Sequence, residues 1–169
     1  MKKIIIVLSM LISSVAIAQK HNIVNASIAL RNAKKATGDD IGVLLVEAKD
    51  YIDLAYSNES TSNEPKMWNY RAPIYLEIAL KKPELDNKAI LKATDSYTKC
   101  LTKGKKDRII VRKWTPKEDV LAGLIQCGYK LFNLGIDKYN EGDYQSSLDF
   151  YEKIFAIVPF DEEDQLKRG

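Results

Sequence analysis

Histidine and cysteine are scarce in this chain of 169 residues, which contains one histidine and two cysteines. The histidine, His21, lies in a polar stretch near the N-terminus, where a Ser-His or Cys-His catalytic arrangement would have no core to hold it. No glycine-rich phosphate loop is present, and the acidic run at 161–164 lacks the spacing of a calcium-binding loop. We therefore expect no catalytic residue, no cofactor and no metal ion. A small hydrolase or ligand-binding enzyme on a helical frame is the least favoured function.

Glycine is also scarce, with 8 residues, whereas Lys, Leu, Ala and Glu are common. Because these four residue types favour helices, the composition predicts an all-α chain. The formal net charge is only +3, and Lys2 and Lys3 contribute most of it. The remainder of the chain is nearly neutral, so its overall charge gives no support to binding of nucleic acid.

The N-terminus has the arrangement of a secretory signal peptide. A lysine pair at 2–3 precedes an apolar run at 4–12, and the small residues Ala16 and Ala18 stand shortly before Gln19. We expect residues 1–18 to be removed by cleavage before Gln19, and the protein to be exported by a bacterium to the periplasm or the cell surface. The apolar run is too short to span a bilayer comfortably, so an uncleaved anchor is less favoured, and no transmembrane segment is expected after removal.

The stretch 131–159 contains two helical patterns that meet at a tight turn. Gly142 can adopt the left-handed conformation that ends a helix, and the carboxylate of Asp143 can cap the next helix. The second pattern places apolar or small residues along one helical face; these are Tyr144, Ser147, Leu148, Tyr151, Ile154, Phe155 and Val158. Pro159 then ends the helix. The pattern predicts an antiparallel helix pair with an exposed flank that needs a neighbour.

This helix pair resembles a tetratricopeptide repeat, whose pattern spans about 34 residues. The matching positions are Leu134-Gly135, the mid-turn Gly142-Asp143-Tyr144, the aromatic Tyr151 and the closing Pro159. The departures are Leu131 in place of tryptophan, Lys138 before Tyr139 at the first tyrosine, and Ser147 and Ile154 in place of two alanines. The resemblance implies an all-α, right-handed α-solenoid of antiparallel helix pairs.

About three irregular repeats are expected, at 23–58, 64–102 and 116–159, within a domain that spans 19–160. The first is weak and contains a Gly-Asp turn at 37–40, while the third begins with a helix longer than the family's, capped by Thr115. An insertion at 103–115 separates the second and third repeats. A polar, solvated tail at 161–169 follows, or the start of a further truncated repeat.

The second repeat carries the other family matches. In its first helix, which Asn63 can cap, Trp68, Ala72 and Tyr75 stand at the family's spacing, although Pro73 interrupts the pattern. In its second helix the matching set is Ala93, Tyr97 and Cys100. We expect these aromatic residues to pack in the core, and the spacing leaves open whether Cys100 and Cys127 form a disulfide.

By resemblance, the protein is a non-enzymatic scaffold of the bacterial cell envelope that binds a protein or peptide in the groove formed by the first helices of its repeats. The positions implied are Lys66, Asn69, Leu76, Glu77, Tyr129, Phe132, Ile136, Tyr139 and Asn140. The insertion supplies a second candidate, a basic docking segment made of Lys105, Lys106, Arg108, Arg112 and Lys113. Two alternatives stay open: an interaction domain of a longer envelope protein whose activity lies in a missing C-terminal region, and self-association through an exposed terminal repeat.

Overall fold

The computed structural model describes residues 20–102, 109, 111, 113–162 and 166. Within these ranges the secondary structure is helical and no β-strand is present. The α-helices are α1 (20–33), α2 (Asp40–Ser57), α3 (Pro65–Lys81), α4 (Ala89–Leu101), α5 (Lys117–Asn140) and α6 (Tyr144–Ile157), with short 3-10 helices at Pro83–Leu85 and Val158–Phe160. The chain forms two compact units, Met1–Tyr70 and Arg71–Gly169. The predicted all-α class is confirmed, whereas the solenoid arrangement stays a prediction.

The first unit contains α1, α2 and the beginning of α3. Gly38 adopts the left-handed backbone conformation, with φ at +64°, in the turn between α1 and α2. On α2, Leu45, Ala48 and Ile52 recur every three or four residues and are fully buried, as an amphipathic helix requires. Within the described residues α1 ends at residue 33, and residues 34–35 form a turn.

A buried threonine stabilises the connection from α2 to α3. Thr61 is fully buried, and its hydroxyl donates a 2.6 Å hydrogen bond to the carbonyl oxygen of Ala55 at the end of α2. Pro65 is the first residue of α3, where its missing N–H costs little. The residue before the helix is therefore Glu64, not the predicted cap Asn63. Met67 is fully buried.

Trp68 is only half-buried, although the repeat pattern places it in the core. Its ring meets that of Tyr56 edge to face, with centroids 5.5 Å apart. Trp68 therefore packs at the border of the core in this unit.

The second unit begins within α3, which packs against α4. The guanidinium of Arg71 donates to the hydroxyl of Ser96 at 2.9 Å and lies 4.6 Å from the centre of the Tyr75 ring. The ammonium group of Lys92 lies 5.0 Å from the same ring. Pro73 lies inside this helix, as predicted. These contacts hold a buried cation against an aromatic ring, an arrangement that stabilises the charge away from water.

Helix α5 packs between α4 and α6. Ala93, Tyr97 and Cys100 of α4 are all buried, which confirms the predicted stripe. Gly123 of α5 lies directly against the Tyr97 ring. The helix begins at Lys117 with Pro116 in the cap position and no side-chain cap, so the predicted capping role of Thr115 is wrong. Its 24 residues make it the longest helix of the described chain.

The turn between α5 and α6 has its predicted form. Gly142 has φ at +79°, and the carboxylate of Asp143 accepts a hydrogen bond from the backbone N–H of Ser146 at 3.2 Å. Hydrogen bonds from the side chain and then the backbone N–H of Ser146 hold the pKa of Asp143 below its usual value. Farther along α6, the buried hydroxyl of Ser147 donates to the carbonyl oxygen of Gly135 at 2.8 Å. The absence of a side chain at Gly135 brings the two helices close together.

Part of the C-terminal tail lies against α5 in the described residues, which are 161, 162 and 166. Asp161 is buried, and its carboxylate accepts a hydrogen bond from the backbone N–H of Leu166 at 2.8 Å. The side chain of Leu166 lies against Gly128 of α5. Glu162 pairs with Lys117 at the start of α5. None of the helices in the described ranges is both long and apolar enough to span a membrane.

Candidate partner-binding surfaces

One face of α5 exposes a row of large apolar side chains. Tyr129, Phe132, Ile136 and Tyr139 are spaced by three or four residues, and each is more than a third exposed, with Tyr139 reaching 60%. That spacing places all four on one side of the helix. These are four of the five positions implied by the third repeat, and the fifth, Asn140, is also exposed, at the end of α5. The structure therefore brings this part of the predicted set together.

Helix α6 adds a second exposed apolar row. Its members, Tyr144, Leu148 and Phe155, share one side of the helix, and Phe155 is 72% exposed. Two aromatic contacts join the rows: Tyr139 meets Tyr144 with ring centroids 5.3 Å apart, and Phe132 meets Tyr151 at 6.1 Å. We call the combined surface the α5–α6 face; it consists of Tyr129, Phe132, Ile136, Tyr139, Tyr144, Leu148 and Phe155.

A hollow of about 260 Å³ indents this surface near the middle of α5. It is lined by Tyr129, Phe132 and Asn133 of α5, Ile154 of α6 and Leu166 of the tail. Gly128 also lines it, and the lining is mostly apolar. A hollow of this composition suits an apolar side chain.

Two ion pairs involve lysines of α5 and α6 that lie outside the exposed apolar rows. Lys138 pairs with Glu141 at 2.5 Å, and this hydrogen bond raises the pKa of Lys138 above its usual value. Lys153 of α6 pairs with Asp95 of α4 at 2.7 Å.

The positions implied by the second repeat are divided between the two compact units. Lys66 and Asn69 belong to the first unit and are half-buried. In the second unit Leu76 is only 6% exposed, and Glu77 pairs with Lys81 at 2.8 Å. Leu76 is thus part of the core, because most residues of α3 between 71 and 79 are buried. The repeat pattern predicts which residues share one side of a helix. It does not predict how much of that helix other elements bury.

The first unit carries a basic hollow that sequence reasoning missed. Its volume is about 460 Å³, and it lies between the end of α1 and the beginning of α3. Three cationic side chains, one apolar residue, one hydroxyl and one aromatic ring line it, namely Arg31, Lys34, Lys35, Leu30, Ser27 and Tyr70. Lys66, one turn before Tyr70, has its ammonium group 6.0 Å from the Tyr70 ring centre. The available signal was the absence of any acidic residue at 20–38.

The predicted basic docking segment falls mostly outside the described residues, since these exclude Lys105, Lys106, Arg108 and Arg112. Lys113 is described and exposed. Its neighbour Val111 is fully buried, whereas Trp114 is 42% exposed. The docking role of this segment stays a prediction.

Cys100 and Cys127 are both free thiols and both buried. Burial raises the pKa of each thiol to about 12. Because the thiolate is the reactive form of cysteine, both groups are inert in the folded protein. No disulfide joins them in the structure, and they act as small core residues.

In the described part of the chain, no group of three or more His, Cys, Asp or Glu side chains is arranged to hold a metal ion. Comparisons with known proteins give no family model that matches the chain, no similar curated protein and no similar solved structure. The resemblance to tetratricopeptide repeats therefore rests on the residues themselves.

Proposed function

We propose that this protein is a non-enzymatic interaction scaffold of the bacterial cell envelope, and that it binds a protein or peptide through the α5–α6 face. The observation that carries the proposal is the contiguous apolar and aromatic row on α5 and α6, indented by a hollow. Soluble proteins seldom leave such rows uncovered, and large exposed apolar patches mark surfaces that bind other proteins. Aromatic residues are also enriched at the centres of such interfaces.

The tetratricopeptide-like residues and the arrangement at 1–18 support the other parts of the proposal. The repeat resemblance favours a scaffold, because helical repeats present extended binding surfaces. The lysine pair, apolar run and small residues near Gln19 favour export to the envelope. The fold alone does not identify a function, so the proposal depends on the exposed face.

A crosslinking pull-down from a cell-envelope extract tests this proposal. The bait is the purified chain from Gln19, compared with the variant Phe132→Ser/Ile136→Ser. A matched control, Val43→Ser/Leu54→Ser, removes two exposed apolar side chains from α2. We expect a saturable partner that the wild-type chain and the control retain and that the α5–α6 variant loses by at least about tenfold in affinity.

Far-UV circular dichroism and thermal unfolding should show that all three baits are folded. Equal capture by all three would contradict the proposal. Crosslinking of the bait only to itself would also contradict it, because a second copy would then cover the α5–α6 face.

A further inference from the structure

We propose that the basic hollow of the first unit binds an acidic segment of a partner polypeptide, with several carboxylates paired to Arg31, Lys34 and Lys35. This inference rests on the proposed function only in that the ligand is a polypeptide. It concerns a different surface from the α5–α6 face, and it names the chemistry of the partner, which that face does not.

Positive charge is concentrated at this place without acidic residues among the lining. Arg31, Lys34 and Lys35 stand three and four residues apart at the end of α1, which brings their side chains to one side of the chain. All three are exposed. None of the residues that line the hollow is acidic, and residues 20–38 contain no Asp or Glu. The charged side chains that line the hollow are therefore all cationic, which favours an anionic ligand there.

The cations at the end of α1 also complement the helix dipole, which favours positive charge at a C-terminus. The dipole does not account for the other residues that line the hollow, since Tyr70 comes from a different helix and Leu30 is a buried apolar residue. The ammonium group of Lys66, close to the Tyr70 ring, adds positive charge beside that ring. The hollow thus combines one aromatic ring with several long cationic side chains.

An extended acidic segment suits this hollow better than a small anion. The cations are on long, exposed side chains, and each exposed ion pair contributes only about 1 kcal/mol or less. Useful affinity therefore requires several carboxylates at once, which one acidic segment supplies along its length. The carbon atoms of that segment can also pack on Leu30 and Tyr70, and the guanidinium of Arg31 can hold a carboxylate through two parallel N–H donors.

The test measures fluorescence anisotropy of a labelled peptide of alternating Glu and Ala, titrated with the purified chain from Gln19. The variant Arg31→Gln/Lys35→Gln removes two charges from the hollow, and Lys88→Gln/Lys99→Gln removes two exposed charges elsewhere as a matched control. We expect the first pair to weaken binding at least about tenfold and the second less than about twofold. Added salt should weaken the wild-type complex.

A second measurement does not depend on the variants. In the wild-type chain, the bound peptide should slow acetylation of Lys34 and Lys35 and leave that of Lys88 unchanged. Equal protection at Lys88 would overturn the proposal.

Three further results would overturn it: no binding of the peptide, equal binding of a Lys-Ala peptide, or equal losses in both charge variants. Binding to vesicles of anionic phospholipid without binding to the peptide would assign the hollow to a membrane surface instead. Displacement of the peptide by an equal concentration of inorganic phosphate would assign it to a small anion. The variant Phe132→Ser/Ile136→Ser should bind the peptide normally, so failure of the α5–α6 proposal and failure of this one are separate results.

Discussion

Gly123 and Gly135 of α5 are both buried, but different side chains pack against them. At Gly123, the ring of Tyr97 occupies the space that a β-carbon would need. Tyr97 is itself buried, and this burial raises the pKa of its hydroxyl above its usual value. At Gly135, the nearest atom to a β-carbon would be Cε1 of Tyr151, at 2.8 Å. Tyr151 is half-buried and can move toward solvent, whereas Tyr97 is enclosed.

We therefore expect Gly123→Ala to lower the free energy of unfolding by about 1–3 kcal/mol, as overpacked core positions do. Gly135→Ala should change it by less than about 1 kcal/mol, because the gain in helix propensity offsets a small displacement of Tyr151. Urea denaturation of both variants measures the difference. Equal effects at the two positions would show that Tyr97 does not enclose Gly123.

Single-residue burial was partly predictable from the sequence. Ala93, Tyr97 and Cys100 share one helical face and are buried as expected. The adjacent pair Met67 and Trp68 shows where the prediction fails, because the family pattern selects tryptophan and the structure fully buries methionine. Neighbouring residues on a helix point about 100° apart, so an alignment displaced by one position exchanges a core side chain for one at its border.

The α5–α6 hairpin is the element that the sequence predicted best, because its turn depends on local chemistry. A left-handed residue at Gly142 and a cap at Asp143 require only nearby atoms. The apolar face of α6 was a weaker guide, since Ser147 is buried but Phe155 is exposed. Periodicity identifies an apolar face, but whether that face is buried depends on residues that are distant in sequence. For the same reason the basic hollow, which is lined by residues of both α1 and α3, was not found from the sequence.

The positive φ at Gly142 leads to a prediction about the turn of the α5–α6 hairpin. Nothing lies within 4 Å of a β-carbon added there, so a substitution acts only through the backbone. We expect Gly142→Ala to reduce the free energy of unfolding by about 1–2 kcal/mol. Gly142→Asn should cost less, because asparagine tolerates the left-handed conformation better. Chemical denaturation of the two variants provides the measurement, and an unchanged Gly142→Ala protein would mean that the turn adopts another conformation.

At the scale of the whole molecule, each of the two compact units presents its own surface. The first unit carries the basic hollow, and the second carries the apolar and aromatic α5–α6 face. The thiols of Cys100 and Cys127 are buried and belong to neither surface. On our two proposals, the first unit binds its partner by pairing of opposite charges and the second by burial of apolar area.

Site-directed photo-crosslinking tests the central claim, that the α5–α6 face binds a partner, most directly. A photoreactive amino acid replaces Ile136 in the middle of this face or, as a control, the exposed Lys99 on α4. Each purified chain is irradiated in a cell-envelope extract. The account predicts one saturable adduct with another protein from position 136 and none from position 99. The same adducts from both positions, no adduct from position 136, or an adduct only with a second copy of the chain would contradict it.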